Sequence, residues 1–129
     1  MNSRFTVAGM LRANAGEFAE APMLRFGDRT VSWGEHFGRA CRVANALGGV
    51  GVGAGDRVAF LDRNGPEYFE VLFGGALIGA VNVAVNWRLA PQEMASIIDD
   101  SRAEVLVLHA DSCRRWPPLR ASWPTSSPS

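Results

Sequence analysis

The 129-residue chain contains no lysine; all thirteen of its basic residues are arginine. Apart from the N-terminus, no amine is therefore available for a P-loop, a Schiff base or the neutralisation of transition-state charge. Histidine and cysteine each occur only twice, as His36 and His109 and as Cys41 and Cys113. None of the four falls in an H-x-x-x-H or C-x-x-C pair, so metal chemistry and a disulfide framework both lack material. Net charge is absent too: thirteen acidic residues balance thirteen arginines, which removes the electrostatic argument for a nucleic-acid or anionic-membrane partner. The longest apolar stretch, "VLFGGALIGAVNVAV", has fifteen residues and is interrupted by Asn82, too short for a membrane span. The N-terminus shows no charged-then-apolar signal pattern. A soluble, cytoplasmic, non-transmembrane protein is the expectation.

What is present is ordinary globular material, 47% apolar and 20% charged, enough for one domain or part of one. Val7, Met10, Leu11, Asn14 and Phe18 share a face at helical spacing, with Thr6 placed to cap the start. "MLRF" and "TVSW" flank "GDR" as a hairpin. Ser32 and Glu35 form the S-x-x-E box that opens a second helix. Phe37, Cys41, Ala44 and Leu47 are its expected apolar face, and the glycines from Gly48 end it.

From residue 57 the pattern alternates strand and helix. "RVAFL" (57–61), "VNVAV" (81–85) and "EVLVL" (104–108) are continuous apolar strands. Their first valines, Val58, Val81 and Val105, lie 23 and 24 residues apart. The intervening helices are "NGPEYFEVLFGGALIG", with Pro66 suited to the first helical position, and "APQEMASIIDD" at 90–100. Such strands predict a parallel sheet covered on both faces with right-handed crossovers. The helix from Tyr68 to Ile78 is apolar on nearly every side. It predicts a sandwiched position, with too few other elements in this chain to cover it.

Each motif that suggests chemistry has a plainer explanation. Gly49, Gly51 and Ala54 satisfy G-x-G-x-x-A, the loose dinucleotide fingerprint. That loop must leave a strand and open a helix so that amides face pyrophosphate; here it leaves a helix and opens a strand. His36 reads as an exposed helix residue, His109 as a strand-end residue and Cys41 as a small buried side chain. Glu67 and Glu70 sit near a helix N-terminus, where the dipole favours carboxylates. Asp99 and Asp100 close a helix, where negative charge is unfavourable, and so predict a turn interaction or an arginine partner such as Arg102. "RRW" near the end is too isolated to argue RNA binding. Catalytic, cofactor-binding and metal residues are all expected to be absent.

The ordered pieces nevertheless carry a likeness. A "GDR-x-V-S-W-x-E" hairpin-to-helix entry, "G-x-G-x-GDRVA", "N-x-PE", "GAV-x-V-x-x-N-x-R" and a helix ending before "DS-x-A" run through residues 5–111. The series resembles the N-terminal region of the adenylate-forming (AMP-binding) enzymes, and among them the acyl-CoA synthetases, fatty-acid–CoA ligases above all. The resemblance implies an α/β fold, an incomplete N-terminal subdomain made of a hairpin plus a βαβαβ parallel sheet. It also implies an ATP-dependent reaction: a carboxylate attacks the α-phosphate to give an acyl-adenylate, and coenzyme A displaces AMP, with Mg²⁺ screening phosphate charge. The family's Ser/Thr/Gly-rich phosphate loop, its acidic ribose motif and its lysines do not occur here, so no family catalytic residue maps onto this chain.

What the resemblance carries over is structural. Gly55, Asp56, Arg57 and Val58 match the family's turn into a strand, and Asn86, Arg88 and Leu89 its strand exit. Val85 and Trp87 stand where many members have proline, and Ala90 replaces the usual hydroxyl N-cap.

Residues 112–129, "SCRRWPPLRASWPTSSPS", break the rhythm with five serines and four prolines, and disorder is expected there. One permitted set of GC-rich codons for 114–129, shifted by two bases, reads as helix then strand. The leading expectation is a frameshifted, truncated piece of a ligase, divided at 111 and inactive alone. The alternative is a small non-catalytic interaction module with a tail.

Overall fold

The computed structural model describes residues 5–109; the 112–129 segment and Cys113 lie outside them. The element order is α1 (Val7–Glu17), β1 (Pro22–Phe26), β2 (Arg29–Ser32), α2 (Trp33–Gly49), β3 (Arg57–Leu61), α3 (Pro66–Leu77), β4 (Val81–Ala84), α4 (Pro91–Ser101) and β5 (Val105–Leu108). β1 and β2 form an antiparallel hairpin, and β4-β3-β5 form a separate parallel sheet. This is the hairpin plus βαβαβ sheet that the pattern predicts.

Local chemistry sets the boundaries. The Thr6 hydroxyl accepts the Gly9 N–H at 2.9 Å, and the Ser32 hydroxyl the Glu35 N–H at 3.2 Å, each satisfying an amide that a helix start leaves free. α2 and α3 end alike. Val52 donates to the Leu47 carbonyl and Gly51 to Gly48; Ala80 donates to Gly75 and Gly79 to Ala76. These paired bonds are Schellman caps, which need a left-handed residue just past the helix. Gly51 (φ +92°) and Gly79 (φ +77°) supply it. The chain thus turns sharply from each helix into the start of a strand.

β3 is the centre of the sheet, and its side chains alternate between two cores. Val58 and Phe60 pack with Leu47, Val52 and Val71 on the α2/α3 face. Ala59 and Leu61 pack with Val85, Met94 and Ile98 on the α4 face. A third cluster joins Leu11, Ala40 and Phe73 between α1, α2 and α3, with Phe69 and Leu77 against it.

That third cluster corrects the expectation about cover for the middle helix. α3 is sandwiched, but by the sheet on one side and by α1 and α2 of this same chain on the other. Two further readings are corrected. Of the expected α1 face, Leu11 is fully buried while Val7, Met10 and Phe18 are exposed. On α2 the expected Ala44 and Leu47 are buried, but the first half of the stripe is His36 and Ala40, each one residue before the expected Phe37 and Cys41, which are half-buried. His36 is accordingly not an exposed residue but 1% accessible, because it stands one turn before Ala40 on the face that meets α3.

Candidate functional site

Open α/β sheets bind ligands at the carboxyl ends of their strands, where neighbouring strands send their connections to opposite faces. β3 continues into α3 and its neighbour β4 into α4. The two cores just described place those helices on opposite faces of the sheet. The exits of β3 and β4 therefore lie side by side at the carboxyl edge of the sheet, which makes them a candidate ligand edge.

Two short segments line it. After β3 come Asp62, Arg63 and Asn64; after β4 come Val85, Asn86, Trp87, Arg88 and Leu89. Val85 is buried and its N–H donates to the Phe60 carbonyl at 2.9 Å, which ties the second exit to the first. The Asn86 side chain then accepts the Arg88 N–H at 3.0 Å and its carbonyl accepts the Leu89 N–H at 3.2 Å. Such an Asx turn fixes the direction of the following residues. The Asp62 carboxylate accepts the Arg63 N–H at 2.7 Å.

The consequence is a small cationic ledge. The guanidinium carbons of Arg63 and Arg88 lie 4.9 Å and 5.1 Å from the centroid of the Trp87 ring. Each contact is worth about 0.5–1 kcal/mol at an exposed site. Among the described residues neither guanidinium forms an ion pair, so both remain available to an anion, which arginine binds through its planar fork of donors. Reading the sequence singled out Trp87 and Arg88 as strand-exit residues, but not Arg63. The missing signal is spatial: Arg63 and Trp87 are 24 positions apart in sequence, and parallel pairing of β3 with β4 makes their segments neighbours.

The other motif residues fall elsewhere. The loop around Gly49, Gly51 and Ala54 lies at the amino end of β3, away from the ligand edge, and the Gly51 N–H is already used in the α2 cap. Asp56 turns back to accept the Gly53 N–H at 2.8 Å. Glu67 pairs with Arg29 at 3.8 Å and Glu70 with Arg39 at 3.1 Å, so the two carboxylates face different partners. At the end of α4 the structure provides a backbone turn: Arg102 adopts φ 53° and its N–H donates to the Asp99 carbonyl at 3.1 Å. His109 follows β5 and is exposed.

ATP and Mg²⁺ find no fit here. Among the described residues no group of three His, Cys, Asp or Glu converges as a metal site. At each helix start beside this edge one amide is missing or already used. α3 opens with Pro66, which has no N–H; α4 opens with Pro91, and the Glu93 carboxylate already occupies the Ala90 N–H at 3.0 Å. No helix among the described residues is long and apolar enough to cross a membrane.

The fold is an open α/β scaffold, a three-stranded parallel sheet beside an antiparallel hairpin. The AMP-binding enzyme family model matches residues 11–126, and the chain belongs to that family. Its relatives include the fatty acid–acyl-carrier-protein ligase ScoC of Streptomyces coeruleorubidus, 41% identical over 62% of this chain and 15% of that protein. The 3-hydroxybenzoate–CoA ligase of Aromatoleum sp. (strain CIB) is 40% identical over 72% of this chain and 18% of its own length. Among solved structures, the anthranilate CoA ligase AuaEII in complex with anthranoyl-AMP superposes with a TM-score of 0.86 at 29% identity. That match covers 96% of this chain and 25% of the other. The chain thus spans less than a fifth of these two curated relatives and aligns with their N-terminal region.

Proposed function

We propose that this chain is the N-terminal share of an ATP-dependent ligase that activates a fatty or other carboxylic acid as an acyl-adenylate and transfers it to coenzyme A. We further propose that the 129 residues do not catalyse alone. The observation that carries the first part is the family match over residues 11–126, supported by relatives whose names record ligation of fatty and aromatic acids. The second part rests on chemistry. Phosphoryl-group activation needs positioned cations around the phosphates, and this chain has no lysine and offers neither a phosphate loop nor a metal cluster among its described residues.

Within such a ligase this part contributes shape and charge. The three-stranded sheet is a rigid base, and the Arg63–Trp87–Arg88 ledge at its carboxyl edge is the surface that meets an anionic reactant. Two measurements test this reading. Purified chain gives no acid-dependent exchange of pyrophosphate into ATP above a no-protein blank; exchange that vanishes when the acid is omitted overturns the claim of inactivity. Residues 5–109 grafted in place of the matching segment of a relative keep acid-dependent exchange. A folded graft without activity overturns the ligase reading. In the active graft, Arg88→Gln raises KM for an anionic substrate about tenfold while kcat holds, as expected from losing one charge-assisted contact.

A further inference from the structure

His36 has no part in the cationic ledge, yet its surroundings are unusual for an ionisable side chain. It is 1% accessible on the α2 stripe that faces α3. Its ring meets the edge of Phe73 with centroids 5.0 Å apart and planes at 86°. Its Nε2 is buried and has no hydrogen-bond partner. A neutral imidazole tolerates this, since one ring nitrogen then carries no proton. The imidazolium cannot, because it carries N–H on both nitrogens. Acid therefore always places an N–H donor at Nε2, where the packing offers no acceptor, and adds a charge among apolar neighbours.

We propose that His36 is an acid-sensitive latch of the helical layer. Neutral, it completes the packing of α2 on α3; when solvent delivers a proton to Nε2, it loosens that contact. The charged groups acting on it are Glu70 from α3 and Arg39 from its own helix, and these two are paired with each other at 3.1 Å. The charged side chains of α1 and the hairpin (Arg12, Glu17, Arg25, Asp28 and Arg29) are exposed. Burial is the larger influence and holds the His36 pKa below its usual 6.5; Glu70 pulls it back up and Arg39 adds to the lowering.

The sign follows. With the folded pKa below the unfolded one, the unfolded chain binds more protons between the two values, so stability rises with pH across that window. The contribution of His36 is present above pH 6.5 and is lost as pH falls through the folded pKa.

Two readouts on the full chain test the latch. In His109→Gln the single remaining imidazole resonance belongs to His36, and its NMR titration midpoint is expected below 6.5. A midpoint at or above 6.5 overturns the proposal. The urea midpoint of the parent chain is expected to fall between about pH 7.5 and 5.5, above the range in which ordinary carboxylates titrate, and that fall is expected to be largely absent in His36→Leu. Equal falls in the two proteins overturn it. If His36→Leu does not fold, the titration decides by itself.

Discussion

At Gly74 two helices approach closely enough to support a quantitative test. A Cβ built on Gly74 of α3 would lie 2.7 Å from both Cβ and Cγ1 of Val43 and 2.9 Å from the Ala40 carbonyl oxygen of α2. Cβ atoms in real structures essentially never sit so close, and two of the three obstacles cannot rotate away: Val43 Cβ is fixed to the backbone, and the carbonyl is backbone. Gly74→Ala must therefore push α2 and α3 apart. Overpacking of this kind costs about 1–3 kcal/mol. With three contacts under 3.0 Å, the upper part of that range applies, about 2–3 kcal/mol. Alanine repays about 1 kcal/mol through its better helix propensity, leaving a net loss of roughly 1–2 kcal/mol, or a Tm lowered by about 4–16 °C for a domain of this size. Gly75→Ala is the internal control. Its Cβ would meet only Ala80 Cβ, at an ordinary 3.7 Å, so propensity alone acts and stability rises by about 0.5–1 kcal/mol. Urea denaturation followed by far-UV circular dichroism measures both. A Gly74→Ala protein as stable as the parent would refute the close-packed α2–α3 crossing, and with it the setting of His36 one turn away.

Three further outcomes follow from single contacts. Ala90 is the N-cap of α4 with extended backbone and no side-chain oxygen, although Glu93 already supplies the reciprocal half of a capping box. Ala90→Ser should then raise stability by about 0.5–1 kcal/mol in a urea melt; no gain would mean that the cap geometry is wrong. Glu70→Gln breaks the pair with half-buried Arg39 and should cost only about 0.5–1 kcal/mol, since partial exposure discounts it. The same substitution removes the group that raises the His36 pKa, so the His36 titration midpoint moves lower still, which NMR reads directly. Adding ATP and a fatty acid should leave the melt of the isolated chain unchanged, because a ligand that does not bind the folded state cannot stabilise it; a clear rise would show a nucleotide or acyl site within these residues.

β3 was legible because it is buried on both faces. "RVAFL" can be continuously apolar only where Val58 and Phe60 meet one core while Ala59 and Leu61 meet another. The helix caps were legible for a different reason: Thr6 and Ser32 act within three residues of themselves, so their bonds are written locally. What failed was rotation. On α2, two stripes that share Ala44 and Leu47 diverge in the first turns, one through Phe37 and Cys41 and the other through His36 and Ala40. Only the partner helix decides between them, and α3, with Gly74 inviting Ala40 and Val43 close, chooses the one containing His36. On α1 the same ambiguity hid that, of the expected face, Leu11 is the buried side chain while Val7, Met10 and Phe18 are exposed.

The ligand edge was half legible for a related reason. Trp87 and Arg88 lie within one turn stabilised by Asn86; the family resemblance marks Arg88 as part of a strand exit and Trp87 as a departure from it, neither with a binding role. Arg63 arrives from another strand, and its place over Trp87 depends on β3 and β4 pairing in register, Phe60 opposite Ala84. Sequence adjacency cannot express such a juxtaposition. The division also explains how a chain of this family can hold so much order and so little chemistry. Two of its cores lie on the two faces of β3 and the third between α1, α2 and α3. Two of its arginines, by contrast, meet at Trp87 beside the carboxyl end of the sheet, able to bind an anion but not to act as nucleophile or base. A surface of that kind positions a reactant for groups supplied by other parts of a ligase; the graft experiment tests whether it does so here.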